Sequence, residues 1–280
     1  MNWEVAKSWL IALFVILDLV LGWQLYESHE VATGYTESPA DLLANTKTLL
    51  ANHGLSLDTQ VPSGQPALPT FEATMATPKF SVLASIAFPN ATGKVTTEDD
   101  VGVSTNEGSL TVTGVGSWEV TYSIPEKLTA ARTPLSYAYH GNDYVLDQAT
   151  SGDGRLVYYK RADNYPVFDA QIVATAISGQ LQAYTETYID HVVNTSSPKP
   201  VISALDALDS LANGVDRTDS SSHNEVVKVD LGYARKVQVT EENNTSPSKN
   251  YWFPVWRIVT SQGTYFVNAF TGEVEMATGF

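Results

Sequence analysis

Residues 167–190 read VFDAQIVATAISGQLQAYTETYID. Two apolar-rich runs, 167–176 and 181–190, flank Ser178-Gly179, and a Gly-containing break of this kind between two strand patterns is a β-hairpin signal. Just upstream, Leu156-Val157-Tyr158-Tyr159 follows the turn Ser151-Gly152-Asp153-Gly154 and reads as another strand. Downstream, Ser197-Pro198-Lys199-Pro200 halts the sheet. Val201, Leu205, Leu208 and Leu211 then share one face of a helix that stops at Asn213-Gly214. Beyond it, Val227, Val229, Leu231 and Tyr233 alternate, and strand patterns over 252–260 and 264–270 are joined by a tight turn at Ser261-Gln262-Gly263. Strands, one helix, then three strands predict an α+β unit whose antiparallel sheet is covered on one face.

The first half carries weaker signals of the same kind. Ser38-Pro39 with Asp41 is a helix start, and Leu42, Leu43, Leu49 and Leu50 recur before Gly54, predicting a helix over about 39–53. A Pro-rich piece, 62–69, interrupts. Between 71 and 124 the period is two: Leu110 and Val112, then Trp118, Val120, Tyr122 and Ile124, with Gly114 and Gly116 making a hairpin or bulge. Weak periodicity over 127–142 suggests a boundary. The expected exterior is therefore two antiparallel-sheet domains, each with a packed helix, over 27–135 and 136–280.

The chain has 280 residues, no Cys, and 16 basic against 31 acidic groups, a formal charge of −15. Without cysteine there are no disulfides, thiolate nucleophiles or Cys-ligated metals. So acidic a chain with no basic cluster is not expected to bind nucleic acid. Residues 9–25, WLIALFVILDLVLGWQL, hold one charge, Asp18. A transmembrane helix over 9–26 follows, with Trp3 and Trp9 at one end and Trp23 and Tyr26 at the other. Lys7 precedes it and no Lys or Arg follows until Lys47, so residues 1–8 are expected in the cytoplasm and the rest outside the cell. No small-residue processing site follows the apolar run, which favours an uncleaved anchor. A carboxylate in the bilayer is costly and calls for compensation. Ser8, Ile11, Ala12, Val15, Leu19 and Gly22 share one side of the helix with Asp18 at its edge, a surface suited to a partner helix in the lipid bilayer.

No catalytic pattern survives comparison with a structural explanation. The five His are scattered without HExxH spacing. Ser196-x-x-Lys199 and Ser246-x-x-Lys249 match a serine–lysine spacing but sit in Pro-containing loops, where the helix that motif needs is absent. No catalytic residue, metal site or cofactor is expected.

Several segments together resemble the YycI (WalI) family of Gram-positive bacteria. They are Met1-Asn2-Trp3 with Lys7-Ser8 running into the apolar helix, Pro166-Val167-Phe168-Asp169, residues 179–184 (GQLQAY), residues 251–257 (YWFPVWR), and residues 266–274 (FVNAFTGEV). The last also resembles the broader PepSY-type module. The resemblance implies a non-catalytic, single-span accessory protein that acts with a YycH-type partner, as a heterodimer, on the membrane sensor histidine kinase WalK (YycG), whose regulator controls cell-wall metabolism. Two alternatives are a PepSY-like binder or inhibitor of an envelope protease and an anchored cell-wall hydrolase.

Overall fold

The computed structural model describes residues 7, 14, 17–18, 38–92, 96–98, 102–214, 224–235 and 250–276. The chain divides into two compact units, Met1–Thr46 and Lys47–Phe280. In the first, Lys7, Phe14, Leu17 and Asp18 are helical and exposed. Helix α1 (Pro39–Asn52) begins there and runs on into the second unit. Ser38 caps it: its Oγ accepts from the Asp41 amide and donates to the Asp41 carboxylate. Gly54, at φ 80°, ends it where the sequence expects. Most of the expected membrane helix over 9–26 lies outside the described residues. Among the described residues, no helix is long and apolar enough to cross a membrane.

The second unit is mostly strand. In chain order come β1 (Leu55–Leu57), β2 (Ala67–Leu68), β3 (Phe71–Thr74), α2 (Phe80–Ala87), β4 (Thr96–Glu98), β5 (Gly102–Ser104), β6 (Gly108–Gly114), β7 (Ser117–Lys127), β8 (Tyr144–Gly152), β9 (Arg155–Ala162), β10 (Tyr165–Ile177), β11 (Gln180–Thr187), β12 (Asp190–Asn194), β13 (Lys199–Pro200), α3 (Ala204–Gly214), β14 (Asn224–Arg235), β15 (Asn250–Thr260), β16 (Gly263–Asn268) and β17 (Val274–Met276). The class is α+β with a large, antiparallel-rich sheet. The stretch 167–190 supplies the centre of it. Ser178 and Gly179 take φ of 52° and 74°, the left-handed pair of a tight hairpin turn, and Ile177 faces Gln180 across it.

β10 is where the sheet branches. Its later residues, from Ile172 to Ile177, pair with β11, which leads to β7, β6, β5 and β4. Nearer its start, Val167 pairs in parallel with Tyr233 of β14, which leads to β15, β3 and β12. The hairpin strand β9 follows β10 on its other side, antiparallel throughout, with a register break between Val167 and Gln171. Fifteen described strands thus form one hydrogen-bonded network rather than the two separate sheets expected. The reason is local: β7 and β11 align so that Val120 faces Tyr184 and Trp118 faces Glu186, which ties strands on both sides of residue 135 together.

Each branch has its own core. On the first, Leu110, Trp118, Val120, Ile172, Leu181 and Tyr184 are buried under α2, a helix that the period-two reading of 71–124 does not contain. Its eight residues are too few for a helical period to stand out, yet Leu83, Ala84 and Ala87 form its buried face, and the Tyr122 hydroxyl donates to Ala87 O at its end. On the second branch α3 packs as expected, capped by reciprocal bonds between Ser203 and Asp206. Its Ala207, Leu208 and Leu211 are fully buried, and Trp256 Nε1 donates to Ile202 O beside it.

β14 corrects one detail. A bulge between Val226 and Lys228 shifts the phase, so Val226 is buried while Val227 is 42% exposed. Gly232 on the same strand is held by packing: a Cβ there would sit 2.5 Å from Pro166 O and 2.6 Å from the Phe168 ring. Gly232→Ala should therefore destabilise the fold by about 1–3 kcal/mol in urea unfolding, the usual cost of forcing a methyl into a packed interior. An unchanged midpoint would show that the branch point is loosely packed.

Candidate functional site

The second branch holds a charge at its centre. Strand alternation places Arg257 of β15 opposite Asp230 of β14 and Phe266 of β16, where it is 1% exposed. Its Nε and Nη2 donate to the two oxygens of Asp230 at 2.8 and 2.7 Å, a bidentate pair, and its Nη1 donates to Asp147 Oδ2 of β8 at 2.8 Å. The rings of Tyr159 and Phe168 lie 4.9 and 4.5 Å from the guanidinium carbon, close enough for cation–π attraction. Lys228, two residues before Asp230 and so on the same face, donates to Asp147 Oδ1 at 2.6 Å and lies 3.3 Å from Asp230. Thr150 Oγ1 adds a bond to Asp147 Oδ2 at 2.7 Å.

The electrostatics follow from this geometry. Burial alone would raise the Asp147 carboxyl, but the hydrogen bond and charge of Arg257, then Lys228 and Thr150, outweigh it and hold it well below the usual carboxylate range. Burial likewise opposes the charge of Arg257, and Asp230 and Asp147 more than reverse that. Asp147 thus favours the fold above about pH 4, its ordinary titration range, and that contribution is lost as pH falls through its lowered value. Arg257→Met leaves Asp147 buried with Lys228 as its one remaining cation and Thr150 as a neutral donor, and should cost about 3–5 kcal/mol in urea unfolding. The double variant Asp147→Leu/Arg257→Met should lose much less than the sum of the single changes; strict additivity would mean that the pair is not coupled.

Beside the network lies a cleft of about 190 Å³, lined also by Val145, Leu146, Tyr159, Arg161, Asn164 and Pro166. Within the network both carboxylates are matched by Arg257 and Lys228, so these groups serve one another and are not poised as a base and a nucleophile.

A second cluster sits on the first branch. Glu186 of β11 is fully buried and accepts the Tyr139 amide N–H at Oε2, 3.0 Å away, while Oε1 has no hydrogen-bond partner. The Trp118 indole and the Tyr144 hydroxyl are near enough to favour its charge, but Tyr144 donates to Thr187 O and Trp118 Nε1 is itself unpaired. Lys160 lies 4.1 Å from the centre of the Tyr188 ring and bonds Asp143 at 3.0 Å. Burial dominates, and it pushes the Glu186 carboxyl up to about 8. A carboxyl raised from 4.5 favours the fold most below its unfolded value, and that contribution is lost as pH rises through about 8. Glu186→Gln, which mimics the protonated form, should stabilise the protein at pH 9 by about 1–3 kcal/mol, the usual cost of an unsatisfied buried group. The gain should fade toward pH 5 in thermal unfolding. A difference independent of pH would refute the assignment.

Of the residues proposed for a partner helix, Asp18 is helical and exposed; Ser8, Ile11, Ala12, Val15, Leu19 and Gly22 lie outside the described residues. Ser196 is a structural residue, its Oγ accepting from the amide and hydroxyl of Thr70. Among the described residues, no group of His, Asp or Glu could hold a metal ion. Sequence reasoning missed the Arg257 network and Glu186. Lys228 and Asp230 were visible only as the polar phase of a strand, and Arg257 only as the last residue of YWFPVWR.

Residues 86–270, more than half of the chain, match the YycI protein family. The chain belongs to the YycI family. The match takes in Asp147, Arg161, Glu186, Lys228, Asp230 and Arg257. YycI proteins are regulatory accessory proteins of WalK-type signalling and are not known as enzymes. No curated protein matches the chain. Among solved structures, an uncharacterized protein from Eubacterium rectale is similar with a TM-score of 0.49 and 10% identity, over 84% of this chain and 99% of that one. YycH from Bacillus subtilis is similar with a TM-score of 0.45 and 12% identity, over 73% of this chain and 52% of that one, so the likeness spans about half of YycH.

Proposed function

We propose that this YycI-family chain is a membrane-anchored, non-catalytic regulator that adjusts a WalK-type sensor histidine kinase controlling cell-wall metabolism, together with a YycH-type partner. The observation that carries the reading is the family match over residues 86–270. The apolar stretch 9–26 with aromatic residues at both ends supports a single span, and Lys7 before it supports a cytoplasmic N-terminus with the sheet unit outside the cell. The side bearing Ser8, Ile11, Ala12, Val15, Leu19 and Gly22, with Asp18 at its edge, supports contact with a partner helix, because small residues allow close approach and a carboxyl can hydrogen-bond across it.

Two measurements test this. Replacing residues 9–26 with an unrelated apolar helix should shift expression of the kinase's target genes in the same direction as deleting the protein; unchanged expression refutes the anchor's role. In membranes, Asp18→Leu should reduce co-purification of the kinase or accessory partner about threefold or more, the effect of one intramembrane hydrogen bond. Equal recovery would remove Asp18 from the contact. The hydrolase alternative instead requires the purified full chain to release muropeptides.

A further inference from the structure

The cleft beside Arg257 is built from two different kinds of surface. Its inner wall is the network of Asp147, Asp230, Arg257 and Lys228, two carboxylates against two cations, with no net charge left over. The outer wall holds Arg161, which faces Pro166 across the β9–β10 pairing. Nη2 of Arg161 donates to Asn164 O and Oδ1 at 2.9 and 3.3 Å, and no carboxylate pairs with it among the described residues. In a chain of formal charge −15, the cleft therefore presents one uncompensated guanidinium.

Next to it runs β8, which pairs with β9 on one side and with no other described strand. An open strand edge offers unpaired backbone donors and acceptors to an incoming segment. On it Val145 and Leu146 are 49% and 41% exposed, and both line the cleft. Open backbone, the half-exposed Val145 side chain and an unmatched guanidinium meet at one opening of about 190 Å³.

We propose that this cleft seats an extended segment of a partner protein bearing a carboxylate: the acid pairs with Arg161, its backbone follows the outer edge of β8, and a neighbouring apolar side chain covers Val145, which shares the face of Asp147 and Tyr159. The charge complementarity selects an acidic occupant over a basic one. At physiological salt, screening beyond about 8 Å leaves Arg161 to dominate a bound carboxylate over the chain's distant negative charges. This rests on reading the exterior as a partner-binding regulator.

The test uses the purified full chain in detergent and three fluorescent, end-capped heptapeptides in which valine alternates with glutamate, with glutamine or with lysine, read by anisotropy. The glutamate peptide should bind about tenfold more tightly than the glutamine peptide, the value of one charge-assisted pair, and the lysine peptide more weakly still. Arg161→Gln should bring the glutamate peptide down to the glutamine level and leave the glutamine peptide unchanged. Val145→Ser, which removes the apolar contact without adding charge, should weaken both. Equal binding of all three peptides, or a glutamate preference that survives Arg161→Gln, overturns the proposal. Because this readout needs no kinase, its failure leaves the regulatory reading to be judged by target-gene expression. Conversely, a positive result with unchanged gene expression on loss of the membrane segment would overturn that reading and keep the site.

Discussion

A guanidinium that must stay charged inside a sheet sets the terms for the second branch. Arg257 cannot shed its proton at any relevant pH, so the fold has to surround it with acceptors or not form. It does so with groups from separate parts of the chain: Asp230 on the neighbouring strand, Asp147 on the β8–β9 hairpin, and the faces of Tyr159 and Phe168. Apolar alternation already fixes which face of each strand is buried. A bidentate ion pair adds direction to that pattern, and the bond to Asp147 ties the β8–β9 hairpin to the same arginine.

That constraint meets a second one at the branch in β10. The strand breaks register just where Phe168 turns toward Arg257 and Gly232, and the open space beyond the break is the cleft. Asp169, in the same break, accepts from the Trp252 indole at 2.7 Å and lies 3.6 Å from Arg235. The irregular residues of β10 are thus held by polar contacts to β14 and β15, while the regular ones on either side are held by ladder bonds.

The parts of this architecture visible in the sequence are those written in short-range pattern. The turn at Ser178-Gly179, the stop at Gly54, the 204–214 helix and the tight turn after Thr260 each depend on residues within a few positions of one another. α2 was hidden because eight residues fit a helical and a strand period almost equally. The bulge at Val227 was hidden because one extra residue changes the phase without changing composition. The network was hidden for a different reason. Asp147, Asp230 and Arg257 are separated by long intervals, and nothing local marks a charge as buried rather than exposed. The family resemblance was legible in YWFPVWR, yet the role of its final arginine depends on partners that only the fold brings near.

Glu186 changes how the chain's acidity should be counted. The formal charge assigns every carboxyl a full negative unit, but a group pushed up to about 8 is mostly neutral at pH 7. The folded chain is then close to one unit less negative than its composition states. In the unfolded chain the same residue is ionised, so folding near neutrality takes up a proton from the solvent. The heat of folding would accordingly depend on the ionisation enthalpy of the buffer, and the proton becomes a reactant in the unit's folding equilibrium.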